Sequence, residues 1–344
     1  MKKKLNNSLI KGAVLVKKKK LNIYSKIKFK KIEKKQVLVK IYYSGLCGSQ
    51  IFEIEGKRGK DKYLPHLIGH EGTGKVIKIG KNVKNVKVGD QVFLSWIKTN
   101  ESDSATPNYT YKNKKINAGR ITTLSTYSII SSNRVFKLPS KVSLKKGVLL
   151  GCAFPTGAGM VLKNLKKKND RLLIIGLGGV GISSLLTSIF KKIKKIDILE
   201  KNYERIEFIK KKISYKNINF LNSINKVNPD TYDLIVESSG NAKMISLAVN
   251  FLKKKGKLVF ASHPEKNSKL EIDPYDLIVG KKVFGTWGGG INLKKDTNKL
   301  IKIINAFSNI EKIFFNQSYK LENINSVIRL FKNGKIVRPL IKMN

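Results

Sequence analysis

The most constraining feature of the chain is a glycine-rich turn set between two different hydrophobic rhythms. Leu172–Ile175 is a short apolar run that predicts a strand, Gly176-Leu177-Gly178-Gly179-Val180-Gly181 follows, and Val180–Lys191 predicts a helix. The spacing fits G-x-G-x-x-G. The first glycine permits a tight turn, the second lets backbone approach a pyrophosphate, and the third lets helix and strand pack closely. The helix start then presents unpaired N–H groups to phosphate. Nineteen residues beyond Gly181 stands Glu200, at the end of the next apolar run. A carboxylate there accepts hydrogen bonds from ribose hydroxyls and repels a 2′-phosphate, which favours NAD over NADP, with Lys201 and Arg205 tempering the preference.

Further strand candidates, Ile196–Leu199, Leu234–Glu237, Leu258–Ala261 and Val283–Thr286, alternate with helical stretches such as Tyr203–Lys211. That alternation predicts a parallel sheet covered by helices. The first 150 residues read differently. Val37–Tyr43, Gly74–Ile79 and Gln91–Ser95 are β-rich runs separated by Gly80, Asn82, Gly89 and Asp90, and Gly12–Val16 reads as an opening strand. The expected architecture is therefore α/β: a β-rich domain over 1–152, a doubly wound domain over 153–287, and a return to the first domain over 288–344. The tract Leu172–Phe190 carries no charge over 19 residues, close to a membrane span, but its glycines fit strand, turn and helix better.

With 344 residues, 41% hydrophobic content and a mean hydropathy of −0.23, the chain can bury two sizeable cores. Seventy Lys+Arg against 23 Asp+Glu give a formal charge of +47, which can mark a nucleic-acid or anionic-membrane partner. The lysines are spread along the chain, in runs such as Lys17–Lys20, Lys166–Lys168 and Lys253–Lys255, and greatly exceed arginine. We read this as compositional bias without a specific nucleic-acid site. Two cysteines cannot form a disulfide framework, and the lysine-led Met1–Lys20 has too short an apolar stretch for a signal peptide, so a cytoplasmic protein without a membrane span is expected.

Those two cysteines and one of only three histidines share a setting. Cys47 lies in Gly45-Leu46-Cys47-Gly48-Ser49, His70 with Glu71 in Gly69-His70-Glu71-Gly72, and Cys152 between Gly151 and Pro155-Thr156-Gly157. Two thiolates and an imidazole, with a fourth position open, make a catalytic zinc set; this ligand set is the one general metal chemistry already records for alcohol dehydrogenase. Alone, each would be an ordinary buried cysteine or loop histidine. His66 and His263 lack such framing and read as structural or surface residues.

Together with Lys87-Val88-Gly89-Asp90-Gln91-Val92, these motifs resemble the zinc-containing medium-chain dehydrogenase/reductase (alcohol dehydrogenase) family over nearly the whole chain. The resemblance implies a GroES-like catalytic domain interrupted by a Rossmann domain, with the active site in the cleft between them, and a dimer or tetramer built by pairing Rossmann sheets. It implies one catalytic zinc on Cys47, His70 and Cys152, with Glu71 as an alternate ligand and Ser49 accepting the substrate proton. Thr156 would hold the nicotinamide and Arg338 the cofactor pyrophosphate. Three positions depart from the family pattern. Gln50 replaces an acidic residue, Phe52 a relay histidine, and the lobe near 96–120 lacks the four cysteines of a structural zinc.

The implied reaction transfers hydride between a small alcohol or carbonyl and NAD. A polar or sugar-type alcohol is the first expectation, and an S-(hydroxymethyl)glutathione dehydrogenase-like activity the alternative. Trp96 and Phe52 are candidate pocket residues. Two competing readings are a zinc-free NADPH quinone-type reductase, which would lack the ligand triad, and a polyanion-binding protein, which would cluster its charge on one face.

Overall fold

The computed structural model describes residues 10–343 except 166, 168 and 169, so the first nine residues of the lysine-led N-terminus and part of the Lys166–Lys168 run lie outside the described residues. In chain order the elements are β1 (Ile10–Lys17), β2 (Lys20–Phe29), β3 (Gln36–Gly45), α1 (Gly48–Ile54), β4 (His66–Leu67), β5 (Glu71–Ile79), β6 (Gln91–Ser95), β7 (Tyr109–Tyr111), β8 (Lys114–Ile116), β9 (Tyr127–Ser131), β10 (Val135–Lys137) and α2 (Leu144–Leu149). There follow α3 (Ala153–Asn164), β11 (Arg171–Ile175), α4 (Gly179–Phe190), β12 (Lys195–Leu199), α5 (Tyr203–Lys212), β13 (Ile218–Leu221), β14 (Tyr232–Glu237), α6 (Ala242–Ala248), β15 (Leu252–Phe260), α7 (Pro274–Ile278) and β16 (Lys282–Gly285). The chain closes with α8 (Leu293–Asn305), α9 (Ile310–Phe314), β17 (Ser318–Lys320), α10 (Ile324–Lys332) and β18 (Leu340–Lys342).

Two compact units result: Met1–Cys152 with Phe315–Asn344, and Ala153–Phe314. In the first, β10-β6-β5-β3-β18-β17 form one sheet, with β9 also on β3, and β4-β1-β2-β7-β8 form another. Alternating side chains of the central strands (Val37, Val39 and Ile41; Val92 and Leu94) fill one core, which α10 completes with Ile324, Val327 and Ile328. The C-terminal β18 runs antiparallel to β3, pairing Leu340 with Gly45, and so ties the chain's end to the segment that carries Cys47.

The second unit is one parallel sheet in the order β13-β12-β11-β14-β15-β16. This is the 3-2-1-4-5-6 order of the doubly wound Rossmann fold, with the glycine turn after its first strand. The uncharged tract 172–190 divides into β11 and α4, and no described helix is long and apolar enough to cross a membrane. The chain returns to the first unit at Phe315, not at 288 as the sequence suggested. The reason is α8, whose buried Leu300, Ile303 and Ile304 belong to a face packed against α3 and α4.

Candidate functional site

The three ligand candidates come from three different places in the first unit. Cys47 sits where β3 ends and α1 begins, His70 immediately precedes β5, and Cys152 follows α2. Two buried hydroxyls fix these segments to each other. Ser44 Oγ donates to the Glu71 carbonyl at 3.1 Å, and Ser95 Oγ donates to the Gly151 carbonyl at 2.7 Å. Since Glu71 pairs with Ser95 across β5 and β6, and Ser44 with Gly72 across β3 and β5, sheet register brings the Cys47 and His70 turns together, and the Ser95 hydroxyl ties the Cys152 turn to them.

The donor atoms of Cys47, His70 and Cys152 lie within 4.8 Å of one another. The two sulfurs stand 3.7 Å apart, and His70 Nε2 is 3.2 Å from Cys152 Sγ. Tetrahedral zinc with bonds of ~2.3 Å holds its sulfurs about 3.8 Å apart, so the sulfur pair fits that ion directly; the imidazole edge is a few tenths of an ångström short of its expected ~3.5 Å. The cysteines are free thiols. The hydrogen bond from Cys152, with help from the Arg338 charge, holds the Cys47 thiol well below its ordinary range against the opposing effect of burial. Cys152 is pushed up in turn, by its bond to Cys47 and by burial. A metal needs both as thiolates, and this close pair releases its protons on loading.

Glu71 is fully buried, and both its oxygens are engaged by one guanidinium nitrogen of Arg338, itself 3% exposed. Burial raises the Glu71 carboxyl above its usual range while Arg338 pulls it back. The expected alternate ligand thus lies outside the cluster able to hold a metal and is committed to an ion pair. Arg338, expected at a pyrophosphate, has that nitrogen on Glu71, and its Nε has no partner among the described residues. The flanking glycines now have a cause: a Cβ on Gly45 would lie 2.3 Å from Glu71 Oε1, and one on Gly151 would lie 2.6 Å from Glu71 Cβ. No pattern in the sequence connects residues 267 positions apart, so the pair was missed.

Ser49 is half-buried in the first turn of α1, two residues after Cys47. Phe52 lies one turn further along the same helix, with Lys57 Nζ 5.3 Å above its ring. The Trp96 carbonyl accepts from Arg134. His66 is buried, with Nε2 2.8 Å from Asp61, and His263 stacks edge-on against Trp287, so neither joins the metal cluster. In the 96–120 lobe, Asp103 gathers Asn133 Nδ2 at 3.0 Å and Arg134 Nε at 3.2 Å, with Lys98 and Arg120 within 3.7 Å.

In the second unit, Gly176 takes a φ of +88°, and a Cβ on Gly181 would meet the Gly176 carbonyl at 1.8 Å, so strand and helix touch where only hydrogen fits. Gly178 caps α4, with Gly179, Val180 and Gly181 in its first turn. Glu200 stands at the end of β12, but its carboxylate accepts from Leu177 N at 2.7 Å and Asn202 N at 2.9 Å, with Arg205 3.6 Å away. It therefore braces the glycine turn it was expected to serve. Thr156 is buried in the first turns of α3.

Comparison with known proteins agrees with this frame. Residues 33–140 match the alcohol dehydrogenase GroES-like domain. Alcohol dehydrogenase 6 of Peromyscus maniculatus is 26% identical over 89% of this chain and 90% of its own. The S-(hydroxymethyl)glutathione dehydrogenase of Synechocystis sp. is 23% identical over 89% of this chain and 92% of its own. Benzyl alcohol dehydrogenase from Acinetobacter calcoaceticus shares the fold with a TM-score of 0.85 at 23% identity, covering 98% of this chain and 99% of that one. The domain match covers residues 33–140, and along its length the chain is similar in sequence and in GroES-like and Rossmann architecture to zinc-type medium-chain alcohol dehydrogenases.

Proposed function

We propose that the protein is a zinc-dependent oxidoreductase that moves hydride between a polar or sugar-type alcohol and NAD. The observation that carries the reading is the Cys47–His70–Cys152 cluster, whose sulfur separation of 3.7 Å suits one zinc and leaves a fourth position for substrate. When bound, zinc supplies Lewis-acid polarisation of the substrate oxygen. Ser49 accepts the hydroxyl proton from its place in the first turn of α1. Phe52 stands where the family carries a relay histidine, so no imidazole on α1 would take that proton onward from Ser49. Glu71 and Arg338 form a closed charge pair beside the thiolates, which would keep the Glu71 carboxylate from serving as a metal ligand.

The glycine turn and the start of α4 suit a dinucleotide pyrophosphate, Thr156 suits the nicotinamide, and the Glu200 charge disfavours a 2′-phosphate. One zinc per subunit is proposed, with the Asp103 cluster supporting the lobe where the family pattern has the four cysteines of a second. The protein is further read as a cytoplasmic homo-oligomer. The support is β16, an edge strand of the parallel sheet, beside α7 with Tyr275, Leu277 and Ile278 at 62%, 50% and 78% exposure. An S-(hydroxymethyl)glutathione substrate is the second reading, favoured by relatives bearing that name and by a charge of +47 that attracts an acidic adduct.

The test is NAD and NADP reduction against sugar alcohols, sugar nucleotides, simple alcohols and the glutathione adduct, with Ser49→Ala beside the native protein. NAD-linked turnover of a polar alcohol, reduced at least tenfold in the variant, is expected. Strict NADP dependence, or turnover of the glutathione adduct alone, would overturn the cofactor or the substrate assignment respectively.

A further inference from the structure

Glu237 ends β14 and pairs with Ile175, the last residue of β11, at the point where the strand order 3-2-1-4-5-6 reverses. It is fully buried. Its Oε1 accepts from the Ser239 N–H at 2.7 Å and from the Ser239 hydroxyl. Its Oε2, also buried, has no partner among the described residues. Burial holds the carboxyl above its usual range, against the opposing hydrogen bonds from Ser239 and the Gly240 N–H. An unpartnered buried oxygen costs stability, and Ser239 is exposed, so water can serve its N–H and hydroxyl instead. Stability alone therefore does not explain why a carboxyl, and not an apolar side chain, ends this strand.

The two serines that follow supply a reason. Ser238 Oγ donates to the carbonyls of Ile175 at 2.9 Å and Gly176 at 3.0 Å, and the Ser238 N–H donates to the Ile175 carbonyl at 2.9 Å. The Ser239 hydroxyl, held by Glu237, accepts from the N–H of Asn241 at 3.3 Å, and Asn241 caps α6. On the other side of β11, Glu200 braces the same glycine turn through Leu177 N. The turn is thus gripped from both neighbouring strands, and on the β14 side the grip passes through an exposed loop that only a buried carboxyl orders. We propose that Glu237 is a positioning residue for dinucleotide binding: by clamping Ser239 it sets the Ser238 hydroxyl on the first glycine of the turn, and so fixes the backbone N–H groups that meet a pyrophosphate. This inference rests on the dinucleotide reading of the turn given above.

Positioning and plain structural support separate by substitution. Glu237→Gln keeps the oxygen that Ser239 uses, whereas Glu237→Leu keeps only the volume. The dissociation constant of NADH, or of NADPH where the native protein prefers it, is measured by dihydronicotinamide fluorescence in the native protein, both variants and Ser238→Ala, with the melting midpoint of each. Positioning predicts that Glu237→Leu binds at least tenfold more weakly while its midpoint stays within about 5 °C of native. Glu237→Gln should bind within threefold of native, and Ser238→Ala at least fivefold more weakly. Binding by Glu237→Leu within threefold of native, or equal losses in Glu237→Leu and Glu237→Gln, would overturn the proposal. So would a larger fall in the Glu237→Leu midpoint, which would make Glu237 a structural residue only. Should Glu237→Leu fail to fold, Ser238→Ala decides: a fivefold loss at an unchanged midpoint supports the relay, and native affinity overturns it. Native protein that binds neither dinucleotide would overturn the reading of the turn, and this inference with it.

Discussion

Replacing Arg338 by methionine isolates the interaction that holds the centre of the first unit together. The guanidinium is 3% exposed and its partner Glu71 is fully buried, wedged where Gly45 and Gly151 leave just enough room. Methionine fills a similar volume, so the main change is a carboxylate left without its cation. Breaking a buried pair from one side costs about 3–5 kcal/mol, because the remaining charge has neither water nor partner. For a unit of this size, stability of ~1 kcal/mol corresponds to roughly 2–4 °C in midpoint, so the first unit should melt roughly 6–20 °C lower. The assay is thermal unfolding at matched zinc occupancy, followed by a probe confined to the first unit. Replacing both partners by methionine should recover most of the loss, since a well-packed apolar pair avoids the desolvation cost altogether. A fall below about 1 kcal/mol, or a double variant no more stable than the single one, would refute the reasoning.

Gly181→Ala sets a methyl against the Gly176 carbonyl at 1.8 Å, so NADH affinity should fall at least tenfold, by titration of dihydronicotinamide fluorescence, while zinc content stays native. Asp103 lies below the usual aspartate range because Asn133 and Arg134 outweigh the opposing effect of burial. Its folded pKa being depressed, its contribution is complete above the unfolded value of ~3.9 and is lost as pH falls through the folded one. Asp103→Asn should therefore cost about 1–3 kcal/mol near neutrality, with native and variant melting points converging below about pH 4. Ile278→Asp places a charge on the exposed face of α7 and should shift the sedimentation coefficient to that of a monomer; an unchanged oligomer would exclude this edge as the interface.

How far the sequence could be read depended on the range of the forces involved. The glycine turn and the strands around it were legible because β11, β12 and β14 are buried along most of their length and read as short, mostly apolar runs rich in Ile, Leu and Val, interrupted by Asp197 in β12. The metal cluster was legible because cysteine and histidine are scarce here and each stands beside glycine. The edge strand β13, half-exposed and lying among asparagines, gave no such run. The Glu71–Arg338 pair was illegible for a different reason: the contact is made by sheet register, not by local spacing. Glu200 was placed correctly at the end of its strand, but the backbone N–H of Leu177 competes for the carboxylate, and no sequence pattern weighs that competitor. The same holds for α8: its partner α4 was legible as a helix, but nothing in the local sequence says that α8 packs against it and so stays with the second unit.

The central claim is that Cys47, His70 and Cys152 hold one zinc on which turnover depends. It is tested most directly by zinc content per subunit in gently purified native, Cys47→Ala and Cys152→Ala proteins, with NAD binding measured in each. The account predicts about one zinc in the native protein and almost none in either variant, with alcohol turnover abolished and NAD binding retained. Native protein that holds no zinc, or variants that keep both metal and turnover, would contradict it.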